Sequence, residues 1–156
     1  MKSISRQSME EVRLHAMETY PDECCGVVVA LAGGSDRVVR VRNIQDEMHG
    51  KDPVAYPRTA RTAYAGHPAD LHAALSQAEQ EGCALLAFYH SHPDHESYFS
   101  AEDNAQATPF GEPSYPEALQ LVVSLYGHKV RDIKAFAWSP EAGAYVETPF
   151  EERTLP

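Results

Sequence analysis

No apolar run in this chain approaches the ~20 residues a helix needs to cross a bilayer, which excludes a helical membrane protein. The stretch from Met1 to Val12 also lacks the apolar segment of a secretory signal, so a cytoplasmic protein is expected. Cysteine is scarce. Cys24, Cys25 and Cys83 are odd in number and carry no paired spacing, and adjacent cysteines rarely bond each other, so reduced thiols are expected. Positive charge is scarce as well: 13 Lys and Arg stand against 23 Asp and Glu, a net charge of -10. Without a basic cluster to follow a phosphate backbone, nucleic acid is a poor partner. Internal repeats and low-complexity tracts are absent.

What remains is an ordinary globular composition of 156 residues, 43% hydrophobic and 23% charged. A chain of this size folds as one domain, here residues 1–156, and buries roughly 70% of its unfolded surface. Met9, Val12, Ala16 and Met17 follow helical spacing after a short strand at Ile4, with Ser8 and Glu11 as a capping box and a stop at Tyr20 and Pro21. Gly26 to Leu31 and Val38 to Val41 flank the turn residues Gly33 to Asp36, which predicts a hairpin. Residues 44–68 hold Gly50, Pro53, Pro57, Gly66 and Pro68 and read as a long irregular connection. Leu71, Ala74, Leu75 and Ala78 then predict a helix capped at Asp70 and closed by Gly82. A buried strand follows over Cys83 to Tyr89. A second Pro- and Gly-rich loop leads to strands at Leu119 to Leu125 and Val130 to Trp138 and a last hairpin near Tyr145 and Val146. The expected class is α/β or α+β, a mixed sheet flanked by helices.

The chemistry gathers where the buried strand ends, in Tyr89, His90, Ser91, His92 and Pro93. Residues two apart on a strand share a face with Cα atoms ~6.6 Å apart, so His90 and His92 can converge on one ion. On a helix the same spacing would point them to nearly opposite sides. Ser100 follows eight residues after His92, and Asp103 three further on, as a natural third ligand. Catalytic zinc commonly takes three protein ligands and leaves a fourth position for water. Taken alone, Ser100 and Asp103 read equally as a helix capping box, and an isolated His-x-His as two ordinary histidines. Chance places the joint pattern in a chain of this composition only about 0.0015 times.

This pattern resembles that of the JAMM (Jab/MPN) metalloproteases, an upstream Glu followed by H-x-H-x7-S-x-x-D. The resemblance implies the cytidine-deaminase-like MPN fold, with one zinc per chain held by His90, His92 and Asp103. It also implies Ser100 as the active-site serine and Glu23 as the general base; read by itself, Glu23 is a solvated carboxylate at a helix end. Two features depart from the family pattern: Phe99 stands before Ser100 where proline is frequent, and the loop over Asn104 to Ser114 is longer than in many relatives. The similarity to small prokaryotic members implies a peptidase or isopeptidase acting at the C-terminal tail of a ubiquitin-like or sulfur-carrier protein. That tail would add as an extended strand, with residues 44–68 and 104–117 as walls and Arg58 and Arg61 as a local docking patch. MPN domains often pair, so a homodimer is an open expectation.

Other readings compete. An MPN domain without metal would serve as a non-catalytic scaffold for a protein partner. A structural zinc site would need a fourth Cys or His, and none is suitably spaced. A Cys25 nucleophile with His90 as base lacks the surroundings of a known cysteine protease. Asp94 and His95 read as a solvated pair, His15 as part of an exposed helix face with Glu11 and Glu18, and Tyr98 and Tyr115 as cleft or packing residues.

Overall fold

The computed structural model describes residues 1–154. In chain order the elements are β1 (Ser3–Ser5), α1 (Arg6–Thr19), β2 (Cys25–Ala30), β3 (Asp36–Val41), α2 (Gln45–Lys51) and α3 (Pro68–Gln80). They continue with β4 (Ala84–Pro93), α4 (Ala101–Ala107), β5 (Leu119–Tyr126), β6 (Lys129–Ser139), β7 (Ala144–Thr148) and β8 (Glu151–Arg153). Six strands form a mixed sheet in the order β3-β2-β4-β5-β6-β7, antiparallel throughout except for the β4–β5 pair. β1 and β8 pair in parallel beside it. The expected mixed sheet flanked by helices is therefore found, and no helix among the described residues is long and apolar enough to cross a membrane.

Strand alternation divides the core between the two faces of the sheet. Val28, Ala87, Tyr89, Leu121 and Val123 pack against Met9, Val12 and Ala16 of α1. On the opposite face Val27 and Val29 meet Ala74 and Ala78 of α3, while Val122 and Phe136 meet Phe99 and Ala107 around α4. Phe88, His90 and His92 belong to this second face, between α3 and α4. Burying one residue of Val or Leu size contributes about 1.5–3 kcal/mol, so the three clusters fix which way the histidines point.

Several expected boundaries move. α1 is capped by Ser5 rather than Ser8: the Ser5 hydroxyl accepts from the Ser8 amide at 3.1 Å. The Ser8 hydroxyl turns instead to the Asp36 carboxylate, which also binds Ser5 and Arg153 and so ties β1, α1, β3 and β8 together. α3 begins at Pro68 with the His67 ring as its cap, and Asp70, in the first turn, forms a bidentate pair with Arg42 at 2.8 and 2.9 Å. The connection over residues 44–68 contains α2, whose only buried residue is Gln45, so it has no apolar stripe to read. β4 starts one residue later than expected, with Ala84 exposed, and runs on to Pro93 with Tyr89 through Pro93 all buried. β8 is Glu-Glu-Arg, a strand without hydrophobic alternation.

His15 departs furthest from expectation. It is 8% exposed, one turn from Val12 on the inward face of α1, and its Nδ1 lies 2.7 Å from the Tyr89 hydroxyl. Glu11 and Glu18 pair instead with Arg40, at 2.8 and 2.7 Å. Tyr89 lies over Gly26, where a Cβ would stand 2.4 Å from the phenol oxygen, so glycine is required there. Burial, helped by the Arg40 charge, lowers the His15 pKa from 6.5 to about 4. Below pH 6.5 the unfolded chain therefore takes up a proton that the native chain refuses until about pH 4, and stability falls across that window. Metal-free protein is expected to lose up to about 2 kcal/mol between pH 7 and pH 5 through this group. His15→Gln should flatten that slope in urea unfolding curves, and an unchanged slope would refute the assignment.

Candidate metal centre

The site is built where β4 leaves the core. His90 and His92 project from the same face of the strand and are 1% and 6% exposed. Their Nε2 atoms lie 3.1 Å apart. α4 delivers the third group: Asp103 Oδ2 stands 3.1 Å from His90 Nε2 and 3.3 Å from His92 Nε2. Donors ~2.0–2.1 Å from a tetrahedral zinc lie ~3.3 Å from one another, so these three atoms have the spacing of one face of such a shell. Glu23, between α1 and β2, is 5% exposed, and its carboxylate comes within 4.8 Å of ligand atoms of both histidines. Asp103 Oδ2 lies closer to both imidazoles than the Glu23 carboxylate does, while Glu23, His90 and His92 together have the spacing of a group able to hold a metal ion.

Tautomer and charge agree with that fit. His92 Nδ1 faces the Glu96 carbonyl at 2.8 Å, and since a carbonyl only accepts, Nδ1 carries the proton and Nε2 presents its lone pair to the cluster. Burial lowers the His90 pKa against the opposing pull of Asp103. Burial alone would raise Asp103, but its contacts with His90 and His92 and the Ser100 amide outweigh it and hold the carboxyl well below the usual carboxylate range. Neutral imidazoles and an ionised carboxylate are the forms that bind metal. Burial, then the charges of Asp103 and Glu102, push Glu23 up to about 9, with Arg58 pulling the other way.

Local structure fixes each donor. Ser100 caps α4 in a reciprocal box: its hydroxyl accepts from the Asp103 amide at 3.0 Å, and Asp103 Oδ2 accepts from the Ser100 amide at 3.0 Å. The capping and ligand readings of this pair are therefore compatible in one geometry. After Pro93 the chain turns through Asp94 at φ 57°, whose carboxylate accepts from the Tyr20 hydroxyl and the Gly127 amide. Ser97 donates to Asp132 and Ser124 to the His95 carbonyl, so the Glu96 carbonyl is held against His92. Asp94 and His95 stay at the surface and fasten the turn.

Residue patterning missed two contributors. Asn43 donates to the carbonyls of Glu23 (2.9 Å) and Ala63 (3.2 Å) and accepts from the amides of Gln45 and Ala65 (3.0 Å each). It thereby binds the Glu23 backbone to the segment carrying Tyr64, whose ring stacks on His90 with centroids 4.5 Å apart. Neither residue has a sequence signal, because each acts through backbone groups or a contact distant in the chain. Arg58 lines the cleft with Glu23, His92 and Ser100 and pairs with Glu102 at 3.3 Å; Tyr98 lies at the same cleft. Cys25 is buried against the Val41 carbonyl and burial pushes its thiol up to about 12, which removes it as a nucleophile.

The family description "prokaryotic homologs of the JAB domain" matches residues 5–139. The chain belongs to that family. Among curated proteins, this JAB-domain chain is 35% identical over 104 residues to a Thermus thermophilus protein named "Probable TtuB-protein conjugate cleaving protease". The alignment covers 67% of this chain and 62% of that relative, so the chain spans less than two thirds of the relative's length. Among solved structures it is similar to a Desulfitobacterium hafniense protein (TM-score 0.72, 23% identity, 99% of this chain and 94% of the other). A Salinibacter ruber protein follows (0.60, 24%, 98% and 92%), and a JAB1/MPN domain protein from Archaeoglobus fulgidus (0.52, 18%, 97% and 100%) shares the fold.

Asn43→Ala should cost roughly 2–4 kcal/mol, because backbone groups of four residues lose a partner at once. Urea unfolding measures this, and a loss under 1 kcal/mol would show that those groups find other partners.

Proposed function

We propose that this protein is a zinc-dependent peptidase or isopeptidase that hydrolyses an amide at the C-terminal tail of a ubiquitin-like or sulfur-carrier protein conjugate. The observation that carries the reading is the convergence of His90 Nε2, His92 Nε2 and Asp103 Oδ2 within 3.1–3.3 Å beside a buried Glu23. The name of the Thermus relative, which refers to cleaving a TtuB-protein conjugate, supports the substrate class.

His90, His92 and Asp103 would hold the ion. Bound there, zinc supplies Lewis-acid polarisation of the scissile carbonyl and lowers the pKa of water. Glu23 takes a proton from the attacking water and returns it to the leaving nitrogen, a role worth ~10²–10⁴-fold. Its carboxyl suits proton exchange because burial holds its affinity for a proton high, while a cation at the cluster and Arg58 oppose that rise. The Ser100 oxygen already accepts from the Asp103 amide, which leaves its O–H to donate to the oxyanion that develops on the carbonyl. Tyr64 covers one side of His90 and keeps bulk water from that ligand.

Elemental analysis of protein purified without a metal-affinity tag should give about one zinc per chain, the stoichiometry of a three-ligand site. His92→Ala and Asp103→Ala should lose it. Glu23→Gln should keep the zinc while hydrolysis of a carrier-tail conjugate falls by at least ~10². Ser100→Ala should keep the zinc, lower kcat about 10²-fold and cost about 1 kcal/mol of stability through the lost cap. Zinc absent from the wild type even after reconstitution would favour the non-catalytic MPN binding module, and full activity in Glu23→Gln would end the general-base assignment.

A further inference from the structure

A cavity of about 200 Å³ lies on the sheet face that carries the cluster, bounded by α3, α4 and Ser114 with Tyr115. It begins one strand from the ligands: Cys25, on its floor, is the cross-strand partner of His90. Tyr64, stacked on His90, and Gln106 line both this cavity and the metal-side cleft, so the two spaces adjoin.

The lining is uncharged throughout, in a chain with 23 acidic residues. Leu71, Phe88 and Tyr115 make an apolar wall, the last two with ring centroids 5.6 Å apart. On the floor Gln120, 5% exposed, and Tyr145 add a carboxamide and a phenol to the lining, polar groups able to orient an occupant. Pockets for whole small ligands begin at ~300 Å³, so this volume suits one side chain. Neighbouring strands stand ~4.8 Å apart and an extended peptide advances ~3.3 Å per residue, which puts that side chain about two residues from an amide held at the cluster.

We propose that this cavity is the side-chain subsite by which the protein selects its substrate, taking one uncharged residue of leucine to phenylalanine size near the scissile amide. The inference rests on the hydrolase reading, since the amide at the cluster brings the peptide to the cavity. A glutamate or aspartate at the same position would be buried without a cationic partner, and is rejected.

Fluorescence anisotropy with zinc-loaded Glu23→Gln protein measures binding without turnover. The probes are fluorescein-labelled hexaglycine peptides carrying one leucine at each position in turn, with glutamate counterparts. At one register the leucine peptide should bind at least tenfold more tightly than its glutamate counterpart. Ser114→Trp, an exposed substitution that fills the cavity from its rim, should reduce that ratio below threefold, and Leu71→Lys should reverse it. Equal binding at every register, including no binding of either series, overturns the proposal, as does a preference that Ser114→Trp leaves intact. Wild-type hydrolysis of the same peptides separates the two readings. A leucine preference in binding without hydrolysis leaves the subsite and removes the peptidase; hydrolysis without side-chain preference does the reverse.

Discussion

Two imidazole nitrogens and a carboxylate oxygen within 3.1–3.3 Å of one another, all nearly sealed from solvent, gather acceptor groups where water cannot disperse their negative potential. Such a cluster is costly unless a cation neutralises it, and it holds together because the chain restrains each donor by other means. His90 and His92 are pinned by the buried end of β4, which pairs with β2 on one side and β5 on the other. Asp103 is pinned by the first turn of α4, where its Oδ2 also accepts the Ser100 amide. The capping box thus aims the carboxylate, and the helix N-terminus stabilises its charge. A device that elsewhere only ends a helix here sets the position of a donor atom.

The two faces of the sheet divide the labour. The face toward α1 is apolar apart from a few polar groups such as the neutral His15–Tyr89 pair, and it supplies the rigidity against which β4 is held. The opposite face is closed by α3 at one end and α4 at the other, and the space between the helices is occupied by the cluster, by Tyr64 and by the uncharged cavity. Preorganisation of this kind is built into the packed strands and helices on either side of the cluster. Asn43 extends it to Glu23, which lies on no regular element and is otherwise held through its amide, which donates to the Ala60 carbonyl at 2.7 Å.

Legibility in the sequence followed how local each signal was. The His-x-His spacing was readable because the apolar run before it marks a strand, and Pro93 marks its end. Ser100 and Asp103 were readable because a capping box is a local code. Glu23 was not readable from its own surroundings: 67 positions separate it from His90, and only the family pattern related them. His15 was misread because a histidine flanked by Glu11 and Glu18 looks solvated, whereas Arg40 on β3 draws both carboxylates away and leaves the ring to turn inward. α2 and β8 were missed because neither buries an apolar stripe. Asn43 and Tyr64 act through backbone carbonyls and ring stacking across 20 or more positions, for which a single sequence carries no periodicity.

Charge places the last constraint on how a partner approaches. The chain is acidic as a whole, and the cleft itself contains Glu23, Glu102 and Asp103 against a single arginine, Arg58. Arg58 is more than half exposed and already paired with Glu102, so it is a weak long-range attractor under physiological screening. Its stronger effect is short-range: it lowers the proton affinity of Glu23 while Glu102 and Asp103 raise it. Removing Glu102 would leave Arg58 free to act on Glu23 alone, and removing Arg58 would leave three carboxylates in one cleft. The pair therefore adjusts a proton affinity that burial and Asp103 chiefly set.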